Sequence, residues 1–277
     1  MPKQPESSQR EGENMLHDSS QASTYGSSAY ATAVFSDCTE VVDTGFSFAF
    51  QPIIDAHSRE TVGQEALVRG LSGESAARVL EAIRPENRYY FDQACRMRAL
   101  KAAARRGIDA AIHLNCSQIA PDNLALSIDA TLQAARKHCI SPDRVVLEFG
   151  SLEMLGNPRQ LDKAREMAHA GGLKVLADNI GVGEVGLKRL AVFRPDFAKP
   201  DRSLIRGIDT STRRQAIVLG IIATCEALKI KVIATGVERA EEMEWLKNAG
   251  IRLAQGFYFA HPTVDPSAES EAPRNVA

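Results

Sequence analysis

Residues 46–68 read FSFAFQPIIDAHSRETVGQEALV, and this stretch decides the architecture of the chain. Phe46–Ile54 and Thr61–Val68 are apolar runs rich in β-branched and aromatic residues, which is typical of strands. The segment between them, Asp55–Glu60, is polar and too short to hold a helix. Because a parallel pair needs a crossover of roughly a dozen residues or more, these two strands are predicted to pair antiparallel.

Beyond residue 68, short apolar runs alternate with longer helical patterns. The predicted strands are Ala110–Leu114, Val145–Phe149, Lys174–Ala177, Phe197–Lys199, Lys231–Ala234 and Arg252–Ala254. The predicted helices are Gly73–Ile83, Tyr89–Arg106, Ser127–His138, Pro158–Ala170, Glu184–Leu190, Thr212–Leu228 and Ala240–Asn248. Continuous apolar strands flanked by amphipathic helices indicate a buried parallel sheet. The fold class is therefore predicted to be α/β, a modified (β/α)8 TIM-like barrel with one antiparallel strand.

The two ends of the chain differ in composition from this central part. Residues 1–44 are rich in Ser, Gln and charge, and residues 265–277 are similar, so both are predicted to be disordered tails around a barrel domain at 45–264. The net charge of -2 gives no basic footprint for DNA or RNA. The longest apolar run, Ala216–Cys225, is about half of the roughly 20 residues that a membrane span needs. With scattered cysteines and no apolar leader, the chain is expected to be cytoplasmic and to have no membrane partner.

Polar side chains recur at the carboxyl ends of the predicted strands, where barrels of this class place their active sites. They are Glu65, Asn115, Glu148, Asp178, Asn179, Lys199, Thr235 and Gln255. Two glutamates, an aspartate and an amide carbonyl at one mouth form an oxygen-rich site of the kind that Mg²⁺ and Mn²⁺ prefer. A single acid after a strand is more often a cap or loop residue, but recurrence at four strand ends favours a site. His113, two residues before Asn115, is interpreted as a structural histidine rather than a ligand.

Seven motifs, in order along the chain, resemble those of EAL domains, the cyclic di-GMP phosphodiesterase family. They are Gln51-Pro52-Ile53 with Gly63–Arg69, Leu114–Ser117, Leu147-Glu148, Ala177-Asp178 with Gly181 and Gly183, Lys199–Asp201, Gly236–Glu238, and Gln255–Phe259 closing at Pro262. The resemblance covers about residues 46–262. It implies hydrolysis of cyclic di-GMP to linear pGpG with two divalent metals, which activate a water for an in-line displacement.

The resemblance also implies a role for each matched residue. The residues that match ligands of the first metal, expected to be Mg²⁺ or Mn²⁺, are Glu65, Asn115, Glu148 and Asp178. Lys199 matches the lysine that contacts the attacking water. The residues that match positions binding the dinucleotide or ordering the site are Gln51, Arg69 and Gln255.

Three positions depart from the family pattern. Asn179 stands where the family has an aspartate for the second metal, and Thr235 stands where it has the catalytic glutamate. Ser151 replaces a glutamate that steadies the loop after Asp178. A unit-charge pair near a protein surface is worth on the order of 4 kcal/mol at about 4 Å, so losing two carboxylates should weaken the second metal by orders of magnitude. The second metal is therefore expected to be absent.

Three functions remain open on the sequence. The favoured hypothesis is a catalytically impaired regulator, more a sensor than an enzyme, that binds cyclic di-GMP and signals by occupancy or protein contact. The second is an active or residual phosphodiesterase that produces pGpG. The third is a protein-interaction module without nucleotide binding, which is favoured by Ser151 and by Gly70, where family members often have an aromatic residue. By analogy with the family, a homodimer or a regulatory protein partner is expected.

Overall fold

The computed structural model describes residues 45–117, 123–150, 158–181 and 186–264, so the predicted tails lie outside the described residues. The strands are β1 Phe46–Asp55, β2 Thr61–Gly70, β3 Ala111–Cys116, β4 Val145–Phe149, β5 Lys174–Ile180, β6 Phe197–Pro200, β7 Lys231–Thr235, β8 Leu253–Gln255 and β9 Thr263–Val264. The α-helices are α1 Ala76–Glu81, α2 Arg88–Arg105, α3 Leu124–Lys137, α4 Pro158–Ala170, α5 Gly186–Phe193, α6 Arg202–Ile205, α7 Thr212–Ala227 and α8 Ala240–Asn248. None of the described helices is long and apolar enough to cross a bilayer.

The strands close into a barrel of mixed direction. β2 to β8 pair parallel in chain order, and β1 completes the ring by pairing antiparallel with both β2 and β8. The turn between β1 and β2 is held by the Asp55 carboxylate, which accepts the backbone N–H groups of His57 and Ser58. The predicted fold class, a TIM-like α/β barrel with a reversed strand, is confirmed.

Apolar side chains fill both the inside of the barrel and the layer under its helices. Successive residues of a strand face opposite sides, so Leu147 joins the cluster beneath the helices while Val146 and Glu148 point inward. The interior cluster near the amino ends of the strands consists of Ile53, Val146, Leu176 and Ile233. Inward-facing polar residues above this apolar plug are therefore held at the carboxyl ends of the strands.

Two short elements differ from the sequence prediction. α6 follows β6 directly and is capped by Asp201, whose carboxylate accepts the N–H of Ser203 at 2.7 Å. β9 pairs with Ala49 and Phe50 of β1. Both elements are too short to show a periodic apolar pattern. α1 is shorter than the predicted helix at 73–83 because Ser75 caps its N-terminus.

A buried ion pair ties α2 to the end of β3. Arg96 is 1% exposed and pairs with Asp92 one turn earlier. Arg96 also donates to Ser127 Oγ on α3 at 2.7 Å and to the carbonyl of Asn115 at 3.4 Å. Asp92 accepts the N–H of Ser117 at 3.0 Å. The pair therefore fixes the backbone that carries the predicted ligand Asn115.

Replacing Arg96 with Met should lower the free energy of unfolding by about 3–5 kcal/mol, because Asp92 would stay buried without its cation. Urea unfolding measures this change. The matched control is Arg136→Met on an exposed position of α3, which should cost no more than about 1 kcal/mol. Equal losses in the two variants would contradict a role for the buried pair.

Candidate metal and nucleotide site

A cleft of about 560 Å³ opens at the carboxyl ends of the parallel strands. The predicted site residues that line it are Gln51, Glu65, Arg69, Asp178, Asn179, Lys199, Thr235 and Gln255. Asn115 and Glu148 lie behind the lining, each one hydrogen bond from it: Asn115 contacts Glu65, and Glu148 contacts Lys199. All the predicted site residues thus converge on one place in the fold.

Lys199 occupies the middle of this group. Its Nζ lies 2.8 Å from Glu65 Oε2, and 2.7 and 2.8 Å from the two carboxylate oxygens of Glu148. Burial acts to lower the pKa of Lys199, but the carboxylates of Glu148, Glu65 and Asp178 outweigh it and raise the pKa above its usual value. Lys199 is therefore a fixed positive charge between two glutamates from different strands.

The two glutamates are held from other directions as well. Glu148 is 0% exposed, and its Oε1 lies 2.7 Å from His113 Nδ1. Burial acts to raise the pKa of Glu148, but Lys199 and His113 outweigh it and lower the pKa to about 2. Glu65 accepts hydrogen bonds from Asn115 Nδ2 at 3.3 Å and from Gln255 Nε2 at 2.8 Å. Glu148 thus stays charged at any physiological pH.

Gln255 and Gln51 connect the group to β1. Gln255 Nε2 also lies 3.2 Å from Gln51 Oε1, and Gln51 Nε2 donates to the carbonyl of Ala260 at 3.2 Å. Gln255 Oε1 is buried and has no hydrogen-bond partner among the described residues. A buried acceptor without a partner costs about 1–3 kcal/mol, so this oxygen is available to a cation, a water or a ligand donor.

Asp178 and Asn179 form the tip of β5. Burial raises the pKa of Asp178 to about 6, with Lys199 opposing the rise and Glu148 and Glu65 adding to it. Asn179 adopts a left-handed backbone, with φ of 56°, which asparagine and aspartate tolerate better than most residues. Its backbone N–H and its side-chain amide both donate to the Asp178 carboxylate, at 2.8 and 3.3 Å. The Asn179 amide is therefore engaged with its neighbour.

Thr235, at the end of β7, is engaged in a strand contact. Its hydroxyl donates to the carbonyl of Pro200 on β6 at 3.1 Å. Asn179 and Thr235, the two cleft positions where the resemblance implies carboxylates, thus contribute polar but uncharged groups. Ser151, where it implies a further glutamate, lies outside the described residues.

The donor set suits one hard divalent cation by its chemistry and not by its present spacing. The oxygen donors that would hold it are Glu65, Asn115, Glu148 and Asp178. Repulsion between these carboxylates already contributes to the raised pKa of Asp178, and a cation would relieve it. Within the described ranges, no three His, Cys, Asp or Glu side chains are spaced to bind a metal ion, and Lys199 lies between Glu65 and Glu148.

Two contributions to the site were missed in the sequence. His113 was interpreted only as structural, yet its ring contacts the predicted ligand Glu148. Its position two residues before Asn115 on the same strand face could have signalled this contact. Arg202, the first residue of α6, and Arg206, directly after that helix, also line the cleft. The sequence pattern did not reveal this short helix.

Asp178 should make cation binding depend on pH. Below pH 6 it is protonated and cannot coordinate a metal, while Glu148, with a pKa of about 2, remains charged. Affinity for Mn²⁺ should therefore rise by up to about tenfold per pH unit towards pH 6 and level off above it. In the absence of a cation, the stability of the folded protein changes with pH in the opposite direction to cation affinity. It falls as the pH rises from 3.8 through about 6, because Asp178 then becomes charged inside the protein.

Mn²⁺ titrations followed by electron paramagnetic resonance, at about pH 5 and about pH 7, measure the effect on cation binding. Asp178→Asn is the control, since it keeps the shape of the side chain and should remove the pH step. Equal affinity of the wild-type protein at both pH values would contradict the assignment of Asp178 as a ligand.

The chain has relatives among known proteins. The family model described as EAL domain matches residues 39–262. The blue light- and temperature-regulated antirepressor BluF of Escherichia coli K12 is 31% identical over 214 residues, which are 77% of this chain and 53% of BluF. The probable cyclic di-GMP phosphodiesterase PdeN of the same strain is 25% identical over 228 residues, 78% of this chain and 43% of PdeN. The chain spans about half the length of these two relatives.

Solved structures give the same result. A standalone versatile EAL protein from Vibrio cholerae O395, in its c-di-GMP-bound form, is 35% identical with a TM-score of 0.74, covering 82% of this chain and 98% of that chain. Klebsiella pneumoniae BlrP1, in a complex with manganese and cyclic di-GMP, is 32% identical with a TM-score of 0.72, covering 79% of this chain and 56% of that chain. The family model matches most of this chain, and a solved relative is covered almost end to end, so this chain belongs to the EAL domain family.

Proposed function

We propose that this chain is a regulator that binds cyclic di-GMP and hydrolyses it poorly. The observation that carries the proposal is the uneven charge of the cleft. Glu65, Glu148 and Lys199 are in direct contact, while Asn179 and Thr235, where the resemblance implies carboxylates, line the cleft with neutral side chains. The first group suits one cation, whereas the second adds no charge for another.

The cleft has the size and the cationic side chains that a dinucleotide with two phosphates needs. Its volume of about 560 Å³ lies within the roughly 300–1,000 Å³ typical of small-molecule sites. Arg69, Arg202 and Arg206 line it. Burial lowers the pKa of Arg69 and Glu65 opposes this, but a guanidinium remains charged at any physiological pH. Guanidinium groups donate to phosphate oxygens in a fixed fork, which supports Arg69 as a ligand-binding residue.

Poor hydrolysis follows from what Asn179 and Thr235 lack. A divalent ion at the first position would draw charge from a phosphate oxygen, but a two-metal displacement also needs a second ion to activate the water. The Asn179 amide donates to Asp178, and the Thr235 hydroxyl donates to Pro200. Neither side chain supplies the negative charge that would retain a second cation, so the activated water is not formed efficiently.

Calorimetry with cyclic di-GMP, with and without Mn²⁺, tests the binding function. The wild-type protein should bind, and Arg69→Ala should bind at least about tenfold more weakly, because it loses a charge-assisted hydrogen bond worth about 1.5–3 kcal/mol. Arg136→Ala, at an exposed position of α3, is the matched control and should bind as the wild type does. No heat at high micromolar protein would refute the proposal.

Product analysis separates binding from catalysis. Incubation with cyclic di-GMP and Mn²⁺ should yield little pGpG over many hours. Rapid formation of pGpG that Glu65→Ala abolishes would establish the phosphodiesterase alternative in place of the impaired regulator.

A protein-interaction module is the second candidate. It is favoured by the relation to BluF, which is named an antirepressor and is 31% identical. The exposed apolar side chains of Ile217 and Leu219 on α7 would suit a protein contact. A folded protein that gives no heat with cyclic di-GMP, with or without Mn²⁺, would favour this candidate over the first.

A further inference from the structure

His113 is a buried polar side chain inside the barrel to which the proposed function gives no role. It lies on β3, two residues before Asn115, and therefore faces the same interior. It is 3% exposed, and its Nδ1 lies 2.7 Å from Glu148 Oε1. The ionised carboxylate of Glu148 only accepts hydrogen bonds, so the donor in this contact is the protonated Nδ1 of His113.

The imidazole ring is confined on its other sides. On β2, residue 63 is a glycine, and a Cβ atom there would lie 3.1 Å from His113 Nε2. The ring of Phe197 on β6 lies 6.0 Å away between centroids, tilted by 57°. The missing side chain at Gly63 therefore makes room for the ring, and Phe197 limits its rotation. The donor atom is presented to Glu148 in one orientation.

His113 also separates Glu148 from a second cavity. This cavity, about 530 Å³ in volume, lies at the amino ends of the strands, and His113 borders it together with Ile53, Phe197 and Ile233. On its other side, Glu148 accepts a hydrogen bond from Lys199, which lines the cleft. The imidazole thus occupies the boundary between the fully buried carboxylate and the cavity at the base of the barrel.

We propose that His113 is a positioning residue for Glu148, an inference that rests on the proposed function of the cleft. Lys199 contacts both oxygens of Glu148 at similar distances, 2.7 and 2.8 Å, and so does not distinguish one from the other. The hydrogen bond from His113 reaches Oε1 alone, from the base of the barrel, and therefore fixes which way the carboxylate is turned. Hydrogen-bond partners that orient a metal-binding carboxylate typically contribute 10- to 100-fold, roughly, to metal affinity.

Three substitutions separate this role from packing. His113→Asn places an amide N–H close to the depth of Nδ1 and should keep Mn²⁺ affinity within about threefold of wild type. His113→Leu fills similar space without a donor and should weaken Mn²⁺ binding about 10- to 100-fold. His113→Gln carries its donor further along the side chain, at the depth of Nε2, and should weaken binding as His113→Leu does. His57→Leu, at the exposed turn after β1, is the control and should have no effect.

The measurements are Mn²⁺ affinity by electron paramagnetic resonance, cyclic di-GMP affinity with and without Mn²⁺ by calorimetry, and the unfolding midpoint. If His113→Leu folds and binds Mn²⁺ as the wild type does, the positioning role is overturned while the binding function stands. If His113→Leu does not fold, equal Mn²⁺ affinities of His113→Gln and His113→Asn overturn it. A wild-type protein that binds neither Mn²⁺ nor cyclic di-GMP refutes the proposed function itself, and the inference with it.

Discussion

The double variant Asn179→Asp with Thr235→Glu should form pGpG from cyclic di-GMP at least about a hundredfold faster than the wild-type protein. Each substitution introduces a carboxylate at a cleft position that now has a neutral side chain. If desolvation leaves each carboxylate–cation contact only about 1.4 kcal/mol of net attraction, each contributes about tenfold to retention of a second divalent ion. The two carboxylates would hold a second ion, whose chemistry would be to make a water more acidic and so more nucleophilic.

The local structure can accept both side chains. Aspartate has the shape of asparagine and tolerates the left-handed backbone that Asn179 adopts at φ of 56°. Thr235 lines the cleft, so a longer glutamate at that position can extend into open volume. The loss of the hydrogen bond from Thr235 to Pro200 should cost about 1 kcal/mol of stability, which leaves the fold intact.

The matched control is Asn179→Asp with Thr235→Gln, which has the same size as the glutamate variant without its charge. Chromatographic quantification of pGpG over time, at saturating Mn²⁺, compares the two. Equal rates in both double variants would contradict the charge explanation and would point to the segment that contains Ser151.

Replacing Lys199 with Met should destabilise the protein by about 3–5 kcal/mol in buffer free of divalent cations. The ammonium lies 2.8 Å from Glu65 and 2.7 Å from Glu148, and both it and Glu148 are almost fully buried. Methionine fills a similar volume but leaves the two carboxylates to repel each other without a counter-ion. The loss should be measurable as a lower midpoint in thermal or urea unfolding.

Mn²⁺ should then restore stability to Lys199→Met more than it stabilises the wild type, because the ion and the ammonium neutralise the same carboxylates. At a Mn²⁺ concentration of 100 times the dissociation constant, binding contributes about 2.7 kcal/mol to the stability of the folded state. Lys163→Met, at an exposed position of α4, is the matched control. It should have the unfolding midpoint of the wild type, and Mn²⁺ should shift that midpoint no more than it does in the wild type. An unfolding midpoint of Lys199→Met that does not move with Mn²⁺ would show that no cation replaces the ammonium.

The sequence predicted the barrel well because its strands are continuous apolar runs. Each of the eight predicted strands overlaps an observed one, and the short segment 55–60 was sufficient to predict the reversal of β1. α6 and β9 escaped prediction because four residues and two residues carry no periodic pattern. Residue propensities and the spacing of apolar residues predict long helices and strands. Short elements depend on caps such as Asp201 and on tertiary pairing such as that of β9 with β1.

The site could be predicted as a set of positions but not as a set of contacts. Because polar residues at the carboxyl ends of barrel strands converge, Glu65, Asp178 and Lys199 could be predicted to line one cleft, and they do. It did not predict that Lys199 would lie between Glu65 and Glu148, or that His113 would hold Glu148 from below. These contacts depend on which rotamers long side chains adopt in a shared interior, and the pattern of a single strand does not contain that information.

The reversed first strand has a mechanical consequence. Because β1 runs against its neighbours, the chain enters the barrel beside Gly70, at the same rim as the cleft, and not at the base. The chain also leaves there, since Pro262 lines the cleft and the following residues pair with Ala49 and Phe50. The described barrel therefore begins and ends at the rim that carries the candidate cleft. A movement of the chain at either point acts directly on the rim of the cleft and does not have to pass through the body of the barrel.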